Sequence, residues 1–113
     1  MTANSQQQEI YRAKLNLETS QIAWKELQRY FAGGVALAAA DELDLVEVAY
    51  QVSADNSALI REWMEAGKFG KVSDEQAAIW YRDDAVLWAV VVSPWVLVQQ
   101  AGQQESSGEQ ERQ

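Results

Sequence analysis

The sequence predicts an α+β domain in which three helices pack on a mainly antiparallel sheet of about four strands, in the order α-β-β-α-α-β-β. Three observations carry that expectation. The 113 residues are 48% apolar and include five Trp, four Tyr and two Phe, enough for one aromatic core. Three stretches carry apolar side chains at three- and four-residue spacing and stop at glycine or acidic turns. Other stretches carry alternating or continuous runs of Val, Leu and Ala.

Residues 17–32 read as the first helix, because Ala23, Trp24, Leu27, Tyr30 and Phe31 share one face. Asn16 can cap its start, and Gly33 can take the left-handed turn at its end. Residues 9–15 either extend this helix backward or form a separate turn; in both cases Ile10, Tyr11 and Leu15 pack on the same core. After Gly33-Gly34 the period changes to two. Val35, Leu37 and Ala39 define a first strand, and residues 43–52 a second. The latter places Val46, Val48, Tyr50 and Val52 on one side, with Leu43, Leu45, Glu47, Ala49 and Gln51 on the other. A short acidic connection at Asp41-Glu42 joins the two as an antiparallel hairpin.

Ser53–Asn56 supply a cluster of N-cap residues, and Leu59, Ile60, Trp63 and Met64 form the stripe of a second helix that stops at Gly67. In the link Lys68–Val72, Phe69 is expected to turn inward. Ser73 and Gln76 have capping-box spacing, so a short third helix runs from Asp74 to about Tyr81, burying Ala77 and Trp80 or Tyr81. Residues 85–99 are rich in Val and Trp and read as strand. Val86, Trp88, Val90 and Val92 point one way; Leu87, Ala89 and Val91 point the other. Ser93-Pro94 does not suit a primed two-residue turn, because Pro cannot take a positive φ, so a bulge or bend should lead into a last strand, Trp95–Gln99. Residues 1–8 and 101–113 are polar and Gln-rich and read as disordered tails around a single domain spanning 9–100.

Seventeen acids against nine bases give a net charge of −8, of which −7 falls in residues 41–84. Such a field repels phosphate backbones and anionic lipid, so neither nucleic acid nor membrane is expected as a partner. The absence of Cys and His removes disulfides, thiolate sites, the commonest general base and the usual zinc ligand. No cofactor and no metal are expected. The start Met-Thr-Ala-Asn-Ser-Gln lacks signal-peptide character, and the apolar run 85–98 is interrupted by Ser93-Pro94 and too short to span a bilayer, which places the protein in the cytoplasm.

The segments LNLETSQIAWKELQRYFAGG, LDLVEVA, SDEQAAIW and LWAVVVSPWVLVQ, in this order, resemble a family of short bacterial proteins catalogued only as a domain of unknown function. The resemblance covers roughly residues 15–99, and the last segment is its most specific part. It implies a bacterial source and a single-domain chain. It implies no activity, cofactor or catalytic residue.

Several constellations admit a chemical reading beside a plainer one. Asp41, Glu42, Asp44 and Glu47 are the densest acidic group, yet their spacing does not match a calcium-binding loop, and a solvated turn and strand face is several times more probable. Asp44 and Glu47 are the candidate functional carboxylates. Glu47 shares its expected strand face with Leu45 and Ala49, and a partner covering that face would raise its pKa by desolvation. Gly67–Lys71 has the wrong glycine spacing for a phosphate loop, and the acidic third helix does not suit a DNA reader. Asp83 and Asp84 point apart on an extended chain, and Ser93 has no base in view. Trp63, Trp80, Trp88 and Trp95 either line a pocket for an aromatic or sugar ligand or belong to core and interface.

Coverage decides the functional expectation. Three helices roof one face of a four-stranded sheet, yet the C-terminal strands are apolar on both. Shielding even ~400 Å² is worth on the order of 10 kcal/mol before association costs. A symmetric homodimer is therefore expected, with Trp88, Trp95, Leu87, Val91 and Leu45 as interface candidates. The first reading is a non-catalytic homodimeric protein-interaction or regulatory module with an unknown protein partner. The alternative is a small-molecule-binding protein or minor enzyme using carboxylates in a Trp-lined pocket, and a third possibility is an acidic mimic of nucleic acid.

Overall fold

The computed structural model describes residues 5–101. Its elements are α1 (Ser5–Glu18), β1 (Ser20–Ala23), a 3-10 turn (Trp24–Leu27), α2 (Gln28–Ala32), β2 (Ala36–Ala39), α3 (Leu45–Ser53), α4 (Ser57–Glu65), β3 (Phe69–Lys71), α5 (Asp74–Arg82), β4 (Val86–Val92) and β5 (Trp95–Gln100). The class is α+β, with five α-helices and a mixed five-stranded sheet ordered β1-β4-β5-β2-β3 in place of the expected three helices and four strands. β5 and β2 run parallel; the other neighbours are antiparallel. Of the expected tails, Ser5–Gln8 form the first turn of α1, and residues 1–4 and 102–113 lie outside the described residues.

The hairpin of β4 and β5 organises the sheet, because its Val-rich strands are apolar on both sides and must be paired and roofed throughout. Val92 pairs with Trp95, so Ser93-Pro94 alone makes the connection. This corrects the expected bulge or bend: the Ser93–Pro94 peptide is cis, and a cis Pro closes a tight turn without any positive φ. Along β4, Leu87 and Ala89 enter one core with Ala36, Val96 and Val98, roofed by Trp24, Leu27, Ala77 and Trp80 from the 3-10 turn and α5. Val90 enters a second core on the opposite face with Leu37, Ala39, Phe69 and Leu97, roofed by Leu15 of α1 and Leu45, Val48 and Ala49 of α3, with Ile60 and Trp63 of α4 packed alongside. Most of each face of the ribbon is thus covered by the chain itself. The premise that a second copy must shield one of them is overturned.

Two elements differ from expectation for identifiable reasons. The expected helix over 17–32 breaks into β1, the 3-10 turn and α2. Ser20–Ala23 pair with Val86–Ala89 along the outer edge of β4, which would otherwise carry unpaired backbone groups next to an apolar face. Trp24 then drops wholly into the first core: its backbone N–H donates to the Ala85 carbonyl at 2.9 Å and its indole Nε1 to the Ala77 carbonyl at 3.1 Å. Its ring meets Trp80 edge-on at 5.2 Å between centroids and Phe31 at 5.6 Å. Long-range pairing overrides a local helical pattern here. The preceding helix, α1, is the separate element that residues 9–15 left open.

The expected strand over 43–52 is helix α3. Asp44 caps it, its Oδ1 accepting from the backbone N–H groups of Val46 at 3.0 Å and Glu47 at 3.4 Å. Leu45, Val48 and Ala49 then fall at helical spacing on the buried face. The expected hairpin with β2 does not form; β2 pairs with β5 and β3 instead. Phe69 does turn inward, on the short strand β3. The expected helix caps are present at α4, where Asn56 accepts from the Leu59 N–H, and at α5, where Ser73 accepts from the Gln76 N–H. Gly67 ends α4 at φ +74°, and the left-handed residue after α2 is Gly34 at +76°, with Gly33 still helical.

Trp24 ties β1, α5 and β4 together, so Trp24→Ala is expected to destabilise the fold by about 3–5 kcal/mol, read as a lowered urea midpoint. A loss under about 1 kcal/mol would show that the first core does not depend on it.

Candidate functional site

The two roofs are offset along the strands. On the second face α1, α3 and α4 cover the hairpin end, and toward the start of β4 they stop short, leaving Val86 and Trp88 exposed by 46% and 37%. On the first face the reverse holds, and Val91 is left 62% exposed. Where the second roof ends, a cleft of about 420 Å³ opens between α1, the start of α3 and β4. Trp88 forms one wall, Leu45 and Val46 another, and Asn16, Thr19, Asp44 and Gln99 supply the polar groups.

Three of these polar groups are held by the local fold. Thr19 closes α1 by donating its hydroxyl to the Leu15 carbonyl at 2.7 Å. Gln99, opposite Trp88 in the β4–β5 register, donates its amide nitrogen to the carbonyls of Ala40 at 2.8 Å and Leu43 at 2.7 Å. Both of its N–H groups are consumed, which leaves Oε1 as the end without a partner among the described residues. Asp44 spends Oδ1 on the cap, and its Oδ2 takes no hydrogen bond among the described residues.

Asp44, Leu45 and Trp88 therefore meet at one place although sequence alone put them on separate strands. The other candidates lie elsewhere. Leu87 is 1% exposed in the first core and is unavailable to a partner, which corrects its assignment to an interface; Leu45, at 5%, shows only its edge to the cleft. Trp95 packs half-buried on the second core, and Val91 is exposed on the opposite face. Glu47 projects from α3 to α1, where it receives Arg12 Nε at 2.8 Å and Nη2 at 3.2 Å, and Gln51 Nε2 at 2.6 Å. The Arg12 guanidinium also lies over the Tyr50 ring at 4.0 Å. Sequence reading expected the Glu47 pKa to rise if a partner covered its face. The structure reverses the direction: the hydrogen bond from Arg12 holds it below the ordinary carboxylate range, against a smaller opposing effect of burial.

Asn16, Thr19, Val46 and Gln99 of the cleft, and Arg12 and Gln51 of the α1–α3 clamp, were not singled out. One signal was available: Asp44 and Glu47 have the same three-residue spacing that marked Ser73 and Gln76 as a helix start. A second cleft of about 380 Å³ lies against the segment 67–72 and α5. There Lys68 pairs with Glu42 at 3.5 Å, and the edge strand β3 occupies the place where a phosphate loop was considered. Among the described residues, no group of three or more metal-ligating side chains exists and no helix is long and apolar enough to cross a membrane.

The family model "Protein of unknown function (DUF2288)" matches residues 10–100. The chain belongs to this family. It is also similar to a solved protein, PA1075 from Pseudomonas aeruginosa, determined by NMR in solution, with 36% identity, a TM-score of 0.75, and coverage of 95% of this chain and 99% of that one. No curated protein matches. The DUF2288 match confirms the resemblance read from the four sequence segments and extends it into α1.

The Arg12–Glu47 pair makes stability pH-dependent in a defined direction. Because the folded state depresses the Glu47 pKa, its contribution is complete above the unfolded value of roughly 4.3 and disappears as pH falls through the lower folded value. Glu47→Gln is expected to lower the urea midpoint at pH 7, and the gap from the wild type is expected to narrow as the pH falls below the ordinary carboxylate range. A gap that stays constant as the pH falls would show that the pair does not link α1 to α3.

Proposed function

We propose that this protein binds a small molecule in the cleft between α1, α3 and β4 and performs no chemistry on it. The observation that carries the reading is the Trp88 indole, more than a third exposed on an otherwise roofed sheet face, forming the wall of a 420 Å³ cleft ringed by polar groups, three of which the fold already holds in place. A cleft within the few-hundred Å³ range, with an aromatic wall and a small number of oriented polar groups, is the usual form of a ligand site. Binding is favoured over catalysis because Glu47 spends both carboxylate oxygens on Arg12 and Gln51, and Asp44 is fixed by one oxygen in the cap of α3 with no second titratable group beside it in the cleft lining. Neither is poised as a general base.

A fragment titration followed by amide and indole NMR shifts tests the reading. Shifts are expected to cluster at Trp88, Asp44–Val46, Thr19 and Gln99, and Trp88→Leu is expected to weaken binding about tenfold while the protein stays folded. Shifts confined to other surfaces would refute it.

The second reading, a homodimeric interaction or regulatory module, no longer rests on an uncovered sheet face. What favours it is the position of β1 at the sheet edge, paired with the stretch of β4 that contains the exposed Val86. Light scattering at micromolar concentration is expected to give twice the chain mass of 12.7 kDa under this reading; a monomer eliminates it.

A further inference from the structure

We infer that the ligand of the Trp88 cleft is a small organic cation, an ammonium carrying a short apolar portion. This deepens the proposed binding function and rests on it. Asp44 presents a carboxylate with Oδ2 unengaged, and Gln99 presents Oε1 because both its N–H groups are spent on Ala40 and Leu43. Thr19 has donated its hydroxyl proton to Leu15, so its oxygen is left to accept. The donors left at the cleft are the Asn16 amide and the Trp88 indole N–H. A site so rich in acceptors satisfies a ligand that donates, and leaves a carboxylate or phosphate facing lone pairs and a negative charge.

The charges around the cleft point the same way. The N-terminus of α3 would ordinarily attract an anion, but its Val46 and Glu47 N–H groups already bind Asp44. α1 ends at Glu18 beside Asn16 and Thr19, so its carbonyl end, with its partial negative charge, lies at the cleft. Arg12, the cation on α1 that reaches α3, is neutralised by Glu47. The net charge of −8 adds a field that concentrates cations at the surface. Trp88 completes the match: the face of an indole attracts a cation by its quadrupole, and Leu45 and Val46 receive the apolar portion. A neutral ring or a sugar can stack on Trp88 equally well, but it leaves the Asp44 charge unanswered.

Three probes of one size separate the possibilities: butylammonium, n-butanol and butyrate, each titrated into the full-length protein with the Trp88 indole N–H and the Asp44–Val46 amides as reporters. Butylammonium is expected to bind about fivefold more tightly than butanol, with butyrate weakest and the preference shrinking at high salt. Asp44→Asn keeps a good N-cap residue while removing the charge, so the helix is expected to persist by circular dichroism and butylammonium to lose most of its advantage over butanol, keeping only what the Trp88 face supplies. Equal or tighter binding of butanol or butyrate overturns the cation assignment and leaves the binding reading standing. An unchanged preference in folded Asp44→Asn also overturns it. If none of the probes moves Trp88, the cation inference falls together with the binding function beneath it.

Discussion

A two-stranded ribbon with no polar side is the constraint from which the rest of this structure follows. β4 and β5 carry Val, Leu and Ala toward both faces, and a chain of this size has to shield them with whatever else it possesses. It does so by dividing its helices. The 3-10 turn, α2 and α5 attend one face, while α1, α3 and α4 attend the other, and each side acquires its own core. The edges are treated in the same way: β1 closes the outer side of β4, and β2 aligns parallel to β5. Trp24 shows how tightly these demands interlock, since one indole fills the first core, bonds to α5 and follows directly from the strand that pairs with β4.

The segments whose structure depended on local chemistry were legible. Asn56, Gly67 and Ser73 mark helix boundaries by hydrogen bonds and backbone angles that any context would require, and the C-terminal strands declare themselves by composition. Residues 17–32 were not legible as strand, because Ser20–Ala23 become extended only through pairing with residues more than sixty positions away. Residues 43–52 misled in the opposite sense. Val46, Val48 and Val52 alternate and are β-branched, yet one aspartate at the cap and the need to roof Val90 and Leu97 make them helical. That single change of state moved Asp44 and Leu45 from an expected strand to the mouth of a cleft, and turned Glu47 from a residue on an expected strand face into the link between two helices.

The cleft itself arises from incomplete roofing. Because the two helical layers are displaced along the strands, each leaves a short length of β4 bare, and on the second face that length contains a Trp beside polar side chains with their own anchors. Sequence reading named Trp88 and Asp44 for separate reasons and had no means of joining them. Gln99 was invisible to it, since its significance comes from two carbonyls in the loop between β2 and α3.

The strand order also bears on how the protein is made. β5 stands in the middle of the sheet and β4 beside it, yet both follow every other strand in the chain. While a ribosome is still extending the polypeptide, β2 and β3 can join, but β1 has nothing to pair with until residue 86 has emerged, and the two helical layers have no common floor. Assembly of the whole therefore waits until β4 and β5 have both been made. Until then the Trp and Leu side chains of the earlier elements have no sheet to pack against, since β4 and β5 supply residues to both cores.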